Sequence, residues 1–359
     1  MPVKPIVITA TDLSSLDSDQ LLSRVGRSSH VDIRLDEPVR DDAFKFAVLV
    51  SALAHDSRRL TVATPPRRSR AYTSVQSSLL GTLLWGMADP EPLDLQTDQL
   101  TLTGSRASEA SRRFCAHSSQ LSSNTREEFR DDLAVGLRGA GIRVSTQQLG
   151  EIAALAFEAN SNAEEHGAQR LESPEASVLR FIVVTAYDAF GEHVAPSATH
   201  YFDAYTRAGH SREKGWLELI VADSGMGMAF PSYYRLAAKS RWDAANIYDE
   251  NADVERLRLQ LVLEDAVSTK GEWGRVLNRQ TAVGEGTRWI KFLLGSLRGY
   301  ASVRTGRSVA TWFYPFASFE GRRRAQPDSY MLGNDELPMY GGTAWHILIP
   351  LNTQLALPI

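Results

Sequence analysis

Apolar residues recur at intervals of three and four after Ser145, which is the spacing of one face of an α-helix. Ser145 and Gln148 have the spacing of a capping box, in which side chains satisfy the free backbone N–H groups of a helix start. One flank carries Glu158, Asn162 and Glu165. Residues four apart point the same way, so Glu158 and Asn162 are predicted to reach one small object, such as a hydrated metal ion. The alternative to a binding site is that this polar flank of the helix simply faces solvent. The apolar positions are Ile152, Leu155, Ala156, Ala159 and Ala163.

The first 105 residues alternate strand-like and helix-like segments. Strands are predicted over 31–35 and 60–63, and helices over 42–54 and 69–87. This alternation is typical of a small α/β unit, and by pattern alone it resembles regulatory domains of the STAS class. A stretch rich in Ser, Thr, Asp and Pro follows, with one strand-like run over 99–103. We therefore interpret residues 1–105 as a sensor or docking domain.

The composition limits the class of protein. With 359 residues, of which 43% are hydrophobic, the chain can bury a large core and accommodates two domains. A net charge of −4 argues against a globally basic nucleic-acid-binding protein. Cys115 is the one cysteine, so neither an intrachain disulfide nor a cysteine-based zinc cluster can form. Because no signal peptide or membrane-spanning run is readable, we expect a cytoplasmic protein.

A second motif follows a hydrophobic strand that begins at Trp216. A buried strand is predicted before it over 178–187, and the polar segment between the two is interpreted as a loop. Asp223 ends the second strand and enters a glycine turn, where a buried carboxylate can accept a hydrogen bond from the amino group of a base. Gly225 and Gly227 would let the backbone approach that ligand closely. The alternative is an ordinary tight turn, which uses the same residues.

Glycines also open a third segment. Gly284, Gly286 and Thr287 precede a helical pattern over 288–297, and free backbone donors at a helix start favour a phosphate group. Lys270 is a further candidate phosphate contact. The charged insertion over 228–284 is predicted to form a helical, mobile lid. A last glycine motif ends at Thr343 and introduces a buried terminal strand over 344–350.

The order of these motifs resembles the GHKL ATPase superfamily, whose members share the Bergerat ATP-binding fold. The resemblance covers about residues 125–352, and the segment 158–167 is similar to anti-sigma-factor kinases. It implies that residues 106–359 form an ATP-binding domain with a mixed sheet and a helical layer, preceded by the small α/β domain. The expected fold class is thus α/β, as an α+β sandwich.

The resemblance also implies roles for individual residues. Asn162 would bind magnesium, Asp223 would accept a hydrogen bond from the adenine amino group, and Glu158 would activate the attacking water. ATP and Mg²⁺ are therefore the expected cofactors. The residues implied to contact ATP are Asn162, Asp223, Gly225, Gly227, Lys270, Gly284, Gly286, Thr287 and Thr343.

The leading functional expectation is a magnesium-dependent ATPase whose lid and N-terminal domain change their contacts with an unidentified protein partner. One alternative is a protein kinase that phosphorylates a partner in trans, and another is a nucleotide-sensing module without catalysis. The chain has no phosphoacceptor helix of the His-Glu-[Leu/Ile]-Arg-x-Pro kind, which argues against an autophosphorylating sensor kinase. Its lid motif reads Gly-Glu-Gly-Thr-Arg-Trp over 284–289, where many relatives have a Gly-x-Gly-Leu pattern, so the geometry of the closed lid is expected to differ. A homodimer is left open, and neither a membrane nor nucleic acid is indicated.

Overall fold

The computed structural model describes residues 5–26, 28, 30–35, 39, 42–55, 59–63, 80, 83, 111–117, 125–139, 142, 144–167, 180–187, 198–207, 209, 215–225, 227, 286–313, 331–332, 337–338 and 340–351. In chain order the elements are β1 (Ile6–Thr9), α1 (Ala10–Ser15), α2 (Ser18–Val25), β2 (His30–Arg34), α3 (Ala43–His55), β3 (Arg59–Ala63), β4 (Ser111–His117), α4 (Arg126–Gly139), α5 (Thr146–Gly167), β5 (Arg180–Tyr187), α6 (Thr199–Arg207), β6 (Trp216–Asp223), α7 (Gly286–Leu297), β7 (Tyr300–Gly306), β8 (Ser308–Phe313), β9 (Met331–Leu332) and β10 (Tyr340–Pro350). Within these residues, no helix is both long and apolar enough to cross a membrane.

A seven-stranded sheet forms the centre of the fold, in the order β4-β5-β6-β10-β7-β8-β9. Each described pairing in it is antiparallel. Strands β6 and β10 are buried along their whole length, as expected of central strands covered on both faces. The end of β6 lies beside the start of β5 and close to the start of β10 and the end of β7. We call this edge of the sheet the Asp223 end.

Helices α4, α5 and α7 cover one face of the large sheet. The predicted apolar stripe of α5 is confirmed, because each of its five residues is buried. The stripe packs in one core with Ile182, Leu219 and Ile347 from the sheet. Phe129 on α4 meets Phe157 on α5 edge to face, with ring centroids 5.6 Å apart. Burial of this apolar surface fixes α5 on the sheet and therefore fixes where its polar flank lies.

The N-terminal unit packs on the opposite face. Its strands form a parallel sheet in the order β1-β2-β3. Helix α3 shares a core with the large sheet, and Phe44 stacks on His346 of β10 with ring centroids 4.9 Å apart. The buried Arg304 of β7 also pairs with Asp19 of α2, with Nε and Oδ1 separated by 3.2 Å. The helices, together with one parallel and one antiparallel sheet, make this an α+β protein.

Several predicted elements agree with the structure and others differ. Strands β2, β3, β5 and β6 and helices α3, α5 and α7 match predicted segments to within two residues at most ends. Strand β4 was not predicted, and β10 begins at Tyr340, so that the glycine motif lies inside the strand instead of before it. The polar loop expected after β5 contains helix α6, which buries Tyr201, Phe202 and Tyr205. The segments 69–87, apart from Leu80 and Leu83, and 99–103 lie outside the described residues, so a domain boundary near residue 105 stays a prediction.

Candidate functional site

A row of polar side chains crosses the large sheet at the Asp223 end. Arg180 on β5 is the direct partner of Asp223 on β6, Asp223 is the partner of Thr343 on β10, and Thr343 is the partner of Thr305 on β7. Direct partners in an antiparallel ladder project from the same face of a sheet. Helix α5 covers this face of the sheet. Two residues away from the Asp223 end, each of the four strands carries an apolar residue on the same face. The apolar residues in the neighbouring row are Ile182, Val221, Trp345 and Val303.

Asp223 is the most unusual member of this row. Only 2% of the residue is exposed, and its carboxylate accepts hydrogen bonds from the backbone N–H groups of Gly225, at 2.8 Å, and of Thr343. Burial raises the pKa of Asp223 to about 7, although the two N–H groups and the charge of Arg180 act in the opposite direction. Buried carboxylates with displaced pKa values are concentrated at binding and catalytic sites.

Two glycines allow the backbone to close around Asp223. Gly227 has a φ of +75°, and a Cβ on it would lie 2.7 Å from the Thr305 hydroxyl oxygen. A Cβ on Gly342 would lie 2.0 Å from the main-chain oxygen of Asp223. Both spacings are too short for a side chain, so the protein itself requires glycine at these two positions. Gly225, which was predicted to line a base pocket, is buried and donates its N–H to the Asp223 carboxylate.

Tyr340 joins the Asp223 turn to the N-terminal unit. Its hydroxyl donates to the main-chain oxygen of Asp223 at 3.2 Å. Burial and the adjacent Asp223 carboxylate raise the pKa of Tyr340 far above its ordinary value, and a hydrogen bond with Ser51 and the charge of Arg304 oppose this rise. Ser51 lies on α3, where its hydroxyl also bonds the carbonyl oxygen of Ala47 at 2.7 Å. The Tyr340 hydroxyl therefore lies between Ser51 of α3 and the main chain of the Asp223 turn.

Helix α5 begins at the predicted Ser145 cap, but the reciprocal half of the capping box does not form, because the Gln148 side chain donates to the main-chain oxygen of Pro350 at 3.3 Å instead. The Gln148 N–H donates to the Ser145 hydroxyl at 3.1 Å, which caps the helix. Glu158 and Asn162 are both half-buried. The Glu158 carboxylate forms an ion pair with Arg126 at the start of α4, and the Arg126 guanidinium also lies over the ring of Phe157. The side chain of Glu165 is outside the described residues.

Helices α5 and α7 meet at the edge of the sheet opposite the Asp223 end. Ser296, near the end of α7, donates to the Glu151 carboxylate, near the start of α5, at 3.0 Å. Tyr300 follows α7 and begins β7 opposite Leu348, which is close to the far end of β10. The last turn of α7 and the first turns of α5 are thus placed at the same edge.

Both helices extend from that edge toward the Asp223 end, α5 in the direction of the chain and α7 against it. Ile290 of α7 is fully buried in the core shared with α5, so the two helices lie side by side. They run in opposite directions, because the end of α7 meets the start of α5. The first residues of α7, Gly286 and Thr287, are therefore directed to the same edge as Asn162 and Asp223. Lys270 and Gly284 lie outside the described residues. The two described residues of the third motif thus lie on the same side of the molecule as the polar flank of α5 and the Asp223 turn.

Sequence reasoning missed Arg180, Thr305 and Tyr340. Arg180 and Thr305 join the site through strand register, which no local pattern reports. Tyr340 directly precedes the last glycine motif, and its position next to that motif was the available signal. In the part of the chain that the structure describes, no group of three His, Cys, Asp or Glu side chains is arranged to hold a metal ion.

Comparisons with protein-family models, with curated proteins and with solved structures found no match.

Proposed function

We propose that this protein binds ATP and magnesium at the Asp223 end of the large sheet, in a Bergerat-type fold of the GHKL superfamily, and that the bound nucleotide controls contacts with a protein partner. The observation that carries the proposal is the buried Asp223 carboxylate, which backbone N–H groups hold in a polar row next to an apolar row of the same face. The order of the sequence motifs supports the same function.

The chemistry around Asp223 suits adenine. An ionised carboxylate has about four acceptor positions, and the N–H groups of Gly225 and Thr343 occupy two of them. The remaining positions can accept the amino group of adenine, while the adjacent apolar row would lie against one face of the ring. Guanine presents a carbonyl oxygen at the equivalent position, and its lone pairs would face the carboxylate. We therefore expect ATP to bind more tightly than GTP.

The phosphate and metal end of the site would be formed by α5 and α7. The amide oxygen of Asn162 is a hard ligand of the kind that Mg²⁺ prefers, and a magnesium ion held mainly by phosphate oxygens and water needs few protein ligands. This requirement fits a described structure without a carboxylate cluster. The first turn of α7, which begins at Gly286, would contribute the backbone N–H groups of Gly286 and Thr287. When bound, magnesium would neutralise charge on the phosphate oxygens.

Glu158 would orient the attacking water and take its proton in the ATPase version of this function. Its side chain is 13% exposed and paired with Arg126, whose guanidinium competes with water for the carboxylate oxygens. Hydrolysis therefore requires Arg126 to move away from Glu158. This ion pair favours a second candidate, a nucleotide-sensing module without catalysis, in which bound ATP signals to a partner.

The N-terminal unit is placed to transmit such a signal. Ser51 of α3 and the Asp223 turn meet at the Tyr340 hydroxyl, and Asp19 of α2 pairs with Arg304 on the large sheet. A partner that shifts α3 would disturb the network at Asp223, and by thermodynamic linkage ATP would change the affinity for that partner equally.

Calorimetric titration of the full chain with ATP, ADP and GTP in the presence of Mg²⁺ tests the proposal. ATP is expected to bind at least about tenfold more tightly than GTP, because one hydrogen bond to a charged group is worth about 1.5–3 kcal/mol. Absence of ATP binding at millimolar concentration would refute the proposed function. Release of labelled phosphate identifies an ATPase, binding without turnover identifies the sensing module, and transfer of the label to a co-purified protein identifies a kinase.

A further inference from the structure

Arg180 occupies a position at the Asp223 end that none of the sequence motifs explains. It is the first residue of β5 and stands directly opposite Asp223 in the β5–β6 ladder. Direct partners in such a ladder have Cβ atoms about 4.5–5.5 Å apart and side chains on the same face. The half-buried guanidinium therefore lies close enough to act on the Asp223 carboxylate as an opposite charge.

We propose that Arg180 is a positioning residue for nucleotide recognition, whose charge holds Asp223 in the ionised form that accepts the adenine amino group. This inference rests on the proposed function, because it concerns how the same site is kept ready for its ligand. Arg180 acts through Asp223 and is not assigned a contact with ATP.

The physical argument is a balance between burial and charge. Removal from water favours the neutral acid, whereas the backbone N–H groups of Gly225 and Thr343 and then the charge of Arg180 favour the carboxylate. A neutral acid is a weaker acceptor, and its proton occupies an oxygen that would otherwise receive a hydrogen bond. Without Arg180, Asp223 would be mostly neutral at physiological pH and would bind adenine poorly.

The other charged and titratable groups near Asp223 do not replace Arg180. Tyr340 on β10 donates to the main-chain oxygen of Asp223, and Arg304 on β7 interacts with Tyr340. Glu158 on α5 is paired with Arg126. In the described part of the chain, the cation that acts on the Asp223 carboxylate is thus the one on β5.

The proposal predicts a specific dependence of ATP affinity on pH. If binding requires ionised Asp223 with a pKa of about 7, the Kd rises about tenfold between pH 8 and pH 6. Removing a neighbouring opposite charge raises a carboxyl pKa by about one pH unit or more. The Arg180→Met variant should then bind ATP about fivefold more weakly than wild type at pH 7 and equally well at pH 9.

Calorimetric titrations of the full chain with ATP and Mg²⁺ at pH 6, 7, 8 and 9 test this prediction. The ratio of the two Kd values at each pH cancels the titration of the phosphates. Arg180→Lys keeps the charge and should restore most of the affinity, whereas Arg130→Met, on the exposed surface of α4, should match wild type at every pH. A ratio that stays constant from pH 6 to pH 9 overturns the proposal, since it indicates direct phosphate binding by Arg180 or a purely structural role.

A second measurement requires no nucleotide. The side-chain carboxyl ¹³C signal of Asp223, assigned by its loss in Asp223→Asn, should titrate at higher pH in Arg180→Met than in wild type and return in Arg180→Lys. If Arg180→Met fails to fold, Arg180→Gln removes the same charge with a polar side chain. An unmoved midpoint refutes the role of Arg180, even if ATP binds. If the titration midpoint moves but the protein does not bind ATP, Arg180 does act on Asp223 and the proposed function is refuted instead.

Discussion

Replacing Asp223 by asparagine should make the protein more stable and at the same time remove ATP binding. The side chain keeps its size, and a carboxamide oxygen can still accept the Gly225 N–H, which lies 2.8 Å from the carboxylate in the native protein. The amide cannot ionise, so the free energy of holding a buried charge disappears. With its oxygen held by Gly225, the amide presents its NH₂ group to the adenine amine, and two donors then face each other.

The size of the stability change follows from the pKa of Asp223. A rise from 3.8 in the unfolded chain to about 7 in the folded protein corresponds to about 4 kcal/mol. The folded protein binds more protons than the unfolded chain within this window, so the stability of wild type falls as pH rises from about 4 to 7. The variant has no ionisable group at position 223, so its stability does not fall over this pH range for that reason. It should exceed wild type by up to about 4 kcal/mol at pH 8, and the difference should vanish near pH 4.

Urea unfolding of the two proteins at pH 4, 6 and 8 measures this difference directly. Asp131→Asn is a suitable control, because the Asp131 side chain is 70% exposed and its replacement should change stability by less than about 0.5 kcal/mol. Calorimetry at pH 8 should show at least a tenfold loss of ATP affinity in Asp223→Asn alone. A variant that is equally destabilised at pH 4 and pH 8 would refute the reasoning, because its defect would then be independent of ionisation.

Three further substitutions test the remaining parts of the site. If Glu158 is the base, Glu158→Gln should retain ATP binding and lower phosphate release by about 100-fold or more. Glu151→Gln, on the same helix, is the control. Equal turnover in Glu158→Gln and wild type would show that Glu158 is not the base. Arg126→Ala should raise turnover severalfold in a phosphate-release assay by freeing Glu158 from its ion pair, and unchanged turnover would show that the pair does not restrain hydrolysis. Gly342→Ala should lower the free energy of unfolding, measured in urea, by about 3 kcal/mol or more, because its Cβ would lie 2.0 Å from a main-chain oxygen. The control Gly150→Ala, with no atom within 4 Å of the new Cβ, should raise it by about 0.5–1 kcal/mol. Similar values for both variants would contradict the close packing of the Asp223 turn.

Local patterns were sufficient to predict the elements that carry the motifs. The apolar stripe and Ser145 cap of α5 follow from side-chain spacing within a few turns, and the apolar runs of β5 and β6 follow from burial of central strands. Helix α6 was missed because it has only 9 residues and its three buried aromatic residues lie in a polar segment, which also suits a loop. Strand β4 contains Arg, Ser and His and pairs at the edge of the described sheet, so its sequence carries little strand signal.

By itself, the sequence determined which residues bear chemistry on each element: the polar flank of α5, the carboxylate that ends β6 and the glycines beside it. Only the tertiary structure decided which of these residues meet, because neighbours in an antiparallel sheet are set by register between strands distant in the chain. Register places Arg180 opposite Asp223 and Thr343 beside it. Helix packing likewise pairs Glu158 with Arg126, so a carboxylate that the sequence presents as available for catalysis is restrained by a neighbouring helix.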